Sequence, residues 1–107
     1  MTPDPSLDLM RGRLAQSPEN ELFRFSLGKA LYDRGETAEA VSHFEVALTH
    51  KPDWMLVAIL LGKCWRQLGD FVKARQYLEL GRKLAHEQQH DGPLEEATAL
   101  LSELGEA

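Results

Sequence analysis

The chain has 107 residues, which is enough for one domain with a core of its own but not for several. Hydrophobic residues make up 43% of it and charged residues 27%, a composition that fits a folded chain and excludes a disordered one. The formal net charge of -5 gives no general attraction to phosphate backbones, and no local basic patch stands out, so we expect no nucleic-acid partner.

Two features bear on membranes and on the cellular compartment. Residues 1–5 carry neither the basic nor the apolar stretch of a secretion signal, and the longest strongly apolar run, Trp54 to Leu61, is too short to span a bilayer. The single cysteine, Cys64, lies in an apolar helical run, where a buried and inert thiol is expected. These features favour a cytoplasmic protein without a membrane partner.

The first two predicted helices lie before Gly35. Ser6 can cap a helix over residues 6–16. The apolar residues of this helix are Leu7, Leu9, Met10 and Leu14. Ser17 and Pro18 then indicate a second helix start, because a Ser oxygen accepts from an unpaired backbone N–H and Pro gives up a donor that has no partner there. We expect this second helix to end at Gly35.

The next two helices have predicted caps and stops of their own. Thr37 can cap a helix that ends before Pro52, since the residue before a proline is pushed out of the α region. Asp53 can cap a further helix that ends before Gly69. Together with the helix before Gly35, these segments predict a series of antiparallel helices joined by short turns.

The last two predicted helices flank a break in the chain at Gly92. The first begins near Phe71 and is expected to be overlong, because neither Pro nor Gly stops it before Gly92. The second covers residues 93–104 and has one apolar and one polar face. Its apolar face is Leu94, Ala97, Leu101 and Leu104, and its polar face is Glu95, Glu96, Ser102 and Glu103.

Residues 55–90 repeat the plan of residues 18–54 at a spacing of about 34, a period typical of helical repeats. The matched pairs are Leu22 and Leu56, Leu27 and Leu61, Gly28 and Gly62, Lys29 and Lys63, Gly35 and Gly69, Ala40 and Ala74, and Glu45 and Glu79. One period before Leu48 and Pro52 stand Leu14 and Pro18. The first helix therefore corresponds to the second helix of an incomplete repeat.

The first copy resembles the tetratricopeptide repeat, a helix–turn–helix unit that serves as a protein-binding scaffold. The residues that carry the resemblance are Leu27, Gly28, Leu31, Gly35, Ala40, Phe44, Ala47 and Pro52 in the first copy, and Leu61, Gly62, Trp65, Gly69, Ala74 and Leu78 in the second. The second copy departs from the family pattern at Gly81, where Ala is preferred, and at His86, where Pro is preferred.

This resemblance implies an all-α, right-handed helical-hairpin solenoid with about six helices and no strands. The single domain, 1–107, would hold an N-terminal capping helix at 6–16, repeats at 18–54 and 55–90, and a C-terminal capping helix at 93–104. Terminal helices of such a stack cover its open ends. The chain resembles small stand-alone bacterial proteins made of two such repeats, which implies a non-enzymatic interaction module without a cofactor.

The resemblance also implies a binding surface, because the first helices of the repeats line a concave groove in this family. The groove residues projected here are Leu22, Phe25, Lys29, Asp33, Leu56, Ile59, Lys63 and Gln67, with Tyr32 and Arg66 at the edge. We expect a peptide or partner protein to bind there, with an acidic group between Lys29 and Lys63 and an apolar anchor beside it. Two alternatives stay open: a terminal helix covers the apolar members, or they form the interface of a structural homodimer.

One short motif gives a third hypothesis. The segment from His86 to His90 matches H-E-x-x-H, in which two His residues one helical turn apart bind zinc and the Glu acts as general base. Catalysis would also need a third protein ligand and a substrate cleft. A small metallopeptidase is therefore the least favoured reading, with His86 and His90 as weak metal candidates.

Overall fold

The computed structural model describes residues 5–105, and it contains six α-helices and no strand within that range. They are α1 (Pro5–Gln16), α2 (Glu21–Asp33), α3 (Thr37–His50), α4 (Met55–Gln67), α5 (Phe71–Glu87) and α6 (Asp91–Glu103). The all-α prediction is confirmed. None of the helices described is long and apolar enough to cross a membrane.

The helices pack as a row of neighbours. α2 pairs with α3 and α4 with α5, while α1 lies against α2 and α6 against α5. The row measures 41 × 30 × 20 Å. The larger buried cluster is formed by the four helices α1, α2, α3 and α4. Its residues are Leu14, Leu27, Leu31, Ala40, Val41, Phe44, Ala47, Val57, Leu60, Leu61 and Cys64. A second cluster joins α4, α5 and α6 through Ile59, Leu78, Ala97 and Leu101.

Close approach within each hairpin explains the repeated glycines. A Cβ atom built on Gly28 would stand 2.8 Å from Cε1 of Phe44, and one built on Gly62 would stand 2.5 Å from Cγ of Leu78. Any side chain at these positions would overlap the partner helix. Gly81 is explained in the same way, because its Cβ atom would stand 2.6 Å from Cγ1 of Ile59.

The start of α2 differs from the prediction that Ser17 caps it. α2 begins at Glu21, and the side chain of Asn20 accepts a hydrogen bond of 2.9 Å from the backbone N–H of Phe23. Ser17 instead ends α1, because its backbone N–H donates to the carbonyl of Arg13 at 3.0 Å. Either residue type can cap a helix, and the geometry of the turn decides between them.

The predicted caps of α3 and α4 are also wrong. Thr37 is the first residue of α3, and its hydroxyl donates to Oε1 of Gln67 at 2.8 Å instead of capping the helix. The N-terminal cap position of α4 is Trp54, and it makes no side-chain cap bond. Asp53 lies one residue earlier, where its carbonyl accepts from the side chain of Gln88 at 2.9 Å.

The turn between α5 and α6 lies a few residues before the break predicted at Gly92. α5 ends at Glu87, and Gln89 takes a φ of 59°, where the two earlier hairpin turns use Gly35 (83°) and Gly69 (85°). The N–H of His90 then donates to the carbonyl of Ala85, which closes the helix end. At 17 residues α5 is the longest of the described helices, as expected, and it ends before Gly92 because a glutamine occupies a backbone conformation that usually requires glycine.

α6 begins earlier than the predicted range of 93–104. Asp91 is its first residue, so Gly92 and Pro93 lie in its first turn. Pro is tolerated there because the first N–H groups of a helix have no partner within it. α4 begins 34 residues after α2, at 55 against 21, whereas α6 begins 36 residues after α4, at 91 against 55.

The two extra residues between the starts of α4 and α6 decide which side chains of α6 face the core. With a spacing of 36, Ala97 and Leu101 take the places that Leu61 and Trp65 hold in α4, and both are buried. A strict spacing of 34 would have put Glu95 in the place of Leu61. We call the helix that begins each repeat, α2 or α4, a first-type helix. α6 is a third helix of this type, but it lies two residues further along the chain than the regular spacing would place it.

Replacing Gln89 with glycine should stabilise the protein by about 0.5–1 kcal/mol. A left-handed conformation costs an L-residue about 1–2 kcal/mol, and the greater entropy of unfolded glycine offsets part of the gain. Urea unfolding followed by circular dichroism measures the change. Gln88→Gly is the matched control and should destabilise, because Gln88 has a φ of -92°. A Gln89→Gly variant no more stable than the wild type would contradict the explanation.

Candidate functional site

A surface cavity of about 460 Å³ lies where three helices meet. Its lining residues are Tyr32 from α2, Lys63, Arg66 and Gln67 from α4, and Glu96 and Leu100 from α6. Four of the predicted groove residues are thus brought together. The six lining residues come from α2, α4 and α6, the three first-type helices. α6 therefore forms one wall of the groove.

Two ion pairs cross the groove from α4 to α6. Nζ of Lys63 lies 2.7 Å from Oε2 of Glu96, and Nη2 of Arg66 lies 3.0 Å from Oε1 of Glu103. Such solvent-accessible pairs contribute only about 0–1 kcal/mol each to stability. Their main consequence is electrostatic, because each cation on α4 has a carboxylate of this chain beside it.

Lys29 is paired in the same way, within its own helix. Its ammonium nitrogen lies 2.7 Å from Oδ1 of Asp33, one helical turn away, and 5.9 Å from the centroid of the Tyr32 ring. The prediction that Lys29 and Lys63 share one acidic ligand stays a prediction, and such a ligand would have to compete with carboxylates of this chain. Both lysines already have a partner, because Asp33 and Glu96 stand within reach.

The apolar strip predicted for the groove is not a continuous surface. Ile59 is 1% exposed and packs in the cluster with Ala97 and Leu101 of α6. Phe25 is half-buried, and its ring stacks on that of Trp54 with 5.0 Å between the centroids. The terminal helix covers Ile59, as one of the alternatives proposed. Ile59 is for the same reason not available to the homodimer interface that was the other alternative.

Leu22 and Leu56 are exposed, but they border other cavities. Leu56 lines a cavity of about 300 Å³ with Trp54, next to the turn between α3 and α4. Leu22 lines a cavity of about 200 Å³ with Met10 and Arg13 of α1. They are two of the six predicted residues that do not line the cavity shared by α2, α4 and α6, the others being Phe25, Lys29, Asp33 and Ile59.

Three residues of the groove and its rim were missed by the sequence reasoning, namely Glu96, Leu100 and Glu103. The two glutamates were assigned to a polar face turned to solvent. The signal that finds them is the shift of α6 to a spacing of 36, which puts Glu103 in the place of Gln67 and Leu100 in the place of Cys64. That shift depends on the turn at Gln89.

The H-E-x-x-H segment does not form a metal site. α5 ends at Glu87, and the left-handed Gln89 turns the chain before His90, so His86 and His90 do not lie one turn apart on a helix. No group of three His, Cys, Asp or Glu side chains in residues 5–105 is placed to hold a metal ion. The metallopeptidase hypothesis is wrong because the continuous helix it requires is absent.

Cys64 should lower the free energy of unfolding as the pH rises into the alkaline range. The residue is fully buried, and burial raises the pKa of its thiol to about 11. An unfolded thiol has a pKa of about 8.5, so the unfolded state loses its proton first and this contribution to stability is lost as the pH rises from about 8.5 to about 11.

Urea unfolding at several pH values between about 8 and about 11 measures this loss. The Cys64→Ala variant is the control and should lose less stability over that range. Part of the loss should remain in the variant, because burial and a hydrogen bond to Glu45 raise the pKa of Tyr77 to about 12. Identical slopes for the two proteins would contradict the assignment to Cys64.

Comparison with known proteins fits this architecture. A model of the tetratricopeptide repeat family matches residues 31–92, which is more than half of the chain. A protein of Pseudomonas aeruginosa described as TPR repeat-containing is 33% identical over 94 residues, which cover 88% of this chain and 90% of that protein. The family match includes Gly62 and Leu78, which pack closely in the second repeat.

Solved structures share the fold. A protein of Bordetella parapertussis superimposes with a TM-score of 0.82 at 28% identity, over 95% of this chain and 89% of that one. PcrH of Pseudomonas aeruginosa, in complex with the chaperone binding region of PopD, superimposes with a TM-score of 0.84 at 18% identity, over 92% of this chain and 74% of that one. The family match and the 33% identical relative show that the chain belongs to the tetratricopeptide repeat family, whose members are non-enzymatic scaffolds for protein interactions.

Proposed function

We propose that the protein binds an extended peptide segment of a partner protein in the groove lined by α2, α4 and α6. The observation that carries the proposal is the cavity of about 460 Å³ into which side chains of all three first-type helices converge. Membership of a family of interaction scaffolds supports a protein ligand. PcrH, which has the same fold, is known in complex with a segment of PopD.

The chemistry of the groove favours a polar segment with little net charge. Lys63 and Arg66 offer hydrogen-bond donors, while Glu96 and Glu103 offer acceptors next to them. An extended backbone carries both N–H and C=O groups and can bind to such an alternating surface. An acidic side chain would first have to displace Glu96 from Lys63, so the preference for acidic ligands expected from the sequence should be weak.

Most of the binding free energy should come from one apolar side chain of the ligand. Tyr32 and Leu100 are both half-buried and line the same cavity, so an aliphatic side chain can lie between them. Burying a side chain of that size contributes about 1.5–3 kcal/mol, against about 0.2–1 kcal/mol for an exposed charge pair. The ligand class proposed is therefore a neutral peptide with a Leu- or Val-sized residue.

Peptides selected from a random library on the wild-type protein test this function. Calorimetric titration of a selected peptide should show Leu100→Ala weakening its affinity about tenfold, which corresponds to about 1.4 kcal/mol. Leu22→Ala is the matched control, because Leu22 is 68% exposed and lies outside the groove, and it should leave the affinity unchanged. Loss of binding in the control with full binding in Leu100→Ala would place the site elsewhere.

We also propose that the protein works in the cytoplasm. A lone cysteine whose thiol is fully buried is compatible with a reducing compartment, where cysteines stay as free thiols. Fractionation of the native cells with an antibody against the protein tests this. Recovery of the protein in a secreted or periplasmic fraction would contradict the proposal.

A further inference from the structure

The two ends of the helical row expose half repeats of opposite kind. α1 occupies the position of a second helix: its Arg11 pairs with Glu39 of α3, just as Tyr77 of α5 bonds to Glu45 of α3. α6 occupies the position of a first helix, as the burial of Ala97 and Leu101 shows. In the part of the chain described, α1 thus lacks a first helix before it, and α6 lacks a second helix after it.

Equivalent positions show what is unfilled at each end. Phe44 of α3 and Leu78 of α5 are 0% exposed, because each is packed over a glycine of its own first helix. The same position in α1 holds Met10, which is only half-buried, and Leu9 beside it is 56% exposed. The position of the two glycines is taken in α6 by Thr98, which is exposed.

A second pair of equivalent positions shows charge complementarity. Within the second repeat, Ile59 of α4 meets Gly81 of α5, since a Cβ atom at Gly81 would stand 2.6 Å from Cγ1 of Ile59. The position of Ile59 is held in α6 by Glu95, and the position of Gly81 is held in α1 by Arg13. Both side chains are exposed, and their charges are opposite. If α6 met an α1 helix as α4 meets α5, the two would form an ion pair.

We propose that the protein binds a second copy of itself head to tail, with α6 of one protomer and α1 of the next forming one complete repeat. Met10 would then pack on Thr98, and Arg13 would pair with Glu95. Exposed apolar residues at the C-terminal end enlarge the contact. Phe71 is 58% exposed and Val72 70%, and they line a cavity of about 510 Å³ with Leu104.

The geometry of this contact has a consequence for assembly. The two surfaces are different, so the contact is heterologous, and each bound protomer presents a new free end. Association should therefore continue past the dimer as the protein concentration rises. The groove of one protomer would also be continued by that of the next, since α6 forms part of both.

Sedimentation velocity of the full chain tests the proposal at concentrations from about 10 μM to about 1 mM, where weak interfaces become visible. The wild type should shift from monomer to dimer and then to larger species. Arg13→Glu and Glu95→Arg should each weaken association about three- to tenfold, because like charges then face each other. The double variant, or an equal mixture of the two single variants, should restore it.

Lys51→Glu is the control, since Lys51 is exposed and lies in the turn between α3 and α4, in the middle of the helical row. It should associate like the wild type. Circular dichroism confirms that each variant is folded, which is expected because both changed side chains are exposed. A monomer at every concentration, or a dimer that grows no further, would overturn the proposal. So would charge reversals that the double variant fails to rescue.

Discussion

Replacing Phe44 with alanine is expected to lower the free energy of unfolding by about 3–5 kcal/mol, the range for removing a fully buried aromatic ring. Phe44 is 0% exposed, and its ring lies where α3 approaches Gly28 of α2. It also packs against the ring of Phe25, with 6.0 Å between the centroids. Domains of this size are stable by about 5–15 kcal/mol, so the loss would be a large fraction of the total.

Phe71→Ala is the matched control, because it removes the same side chain from a site that is 58% exposed. Its effect should stay within about 0.5 kcal/mol. Urea unfolding monitored by circular dichroism gives both values. Equal losses in the two variants would mean that the contact between Phe44 and Gly28 does not hold the hairpin together.

Removal of residues 91–107 should have a comparably large effect, with a much lower melting temperature and aggregation of the truncated protein. α6 supplies Ala97 and Leu101 to the cluster that contains Ile59 and Leu78. Loss of a buried leucine alone costs about 2–5 kcal/mol, and the deletion also exposes the apolar side chains that α6 covered. Differential scanning calorimetry and size-exclusion chromatography measure the outcome.

The control for this deletion separates apolar packing from the ion pairs. Glu96→Gln together with Glu103→Gln removes both pairs from α4 to α6 and leaves the apolar contacts in place. We expect it to cost at most about 1 kcal/mol per pair. A truncated protein that stays monodisperse and melts like the wild type would refute the role of α6 as part of the core.

The repeat architecture was predictable from the sequence because a few positions admit almost no alternative. Gly28 and Gly62 recur at the sites where neighbouring helices nearly touch, and Phe44 and Leu78 recur at the sites that fill those contacts. The helix starts were less predictable, since Ser17 and Asn20 are both good caps three residues apart. Only the bond from Ser17 to the last turn of α1 decides between them.

The groove was predicted only in part, and one local feature accounts for the errors that involve α6. Gln89 adopts a left-handed conformation that a pattern-based reading reserves for glycine, so the end of α5 and the phase of α6 were both misplaced. With α6 shifted by two residues, Ile59 becomes a core residue and Glu96 reaches Lys63. Tyr32, Arg66 and Gln67 do line the groove, because their positions depend only on the regular repeat.

The spacing of 36 residues before α6 also decides where this array could be lengthened by gene duplication. A copied unit of 34 residues inserted after Pro52 would preserve the contacts on both sides, since α2 and α4 already keep that spacing. If the spacing before α6 were shortened to 34 residues, Glu95 would come into the place that Ala97 holds in the core. A buried carboxylate without a partner is strongly unfavourable. A lengthened array must therefore keep the two extra residues of the α5–α6 turn in front of α6.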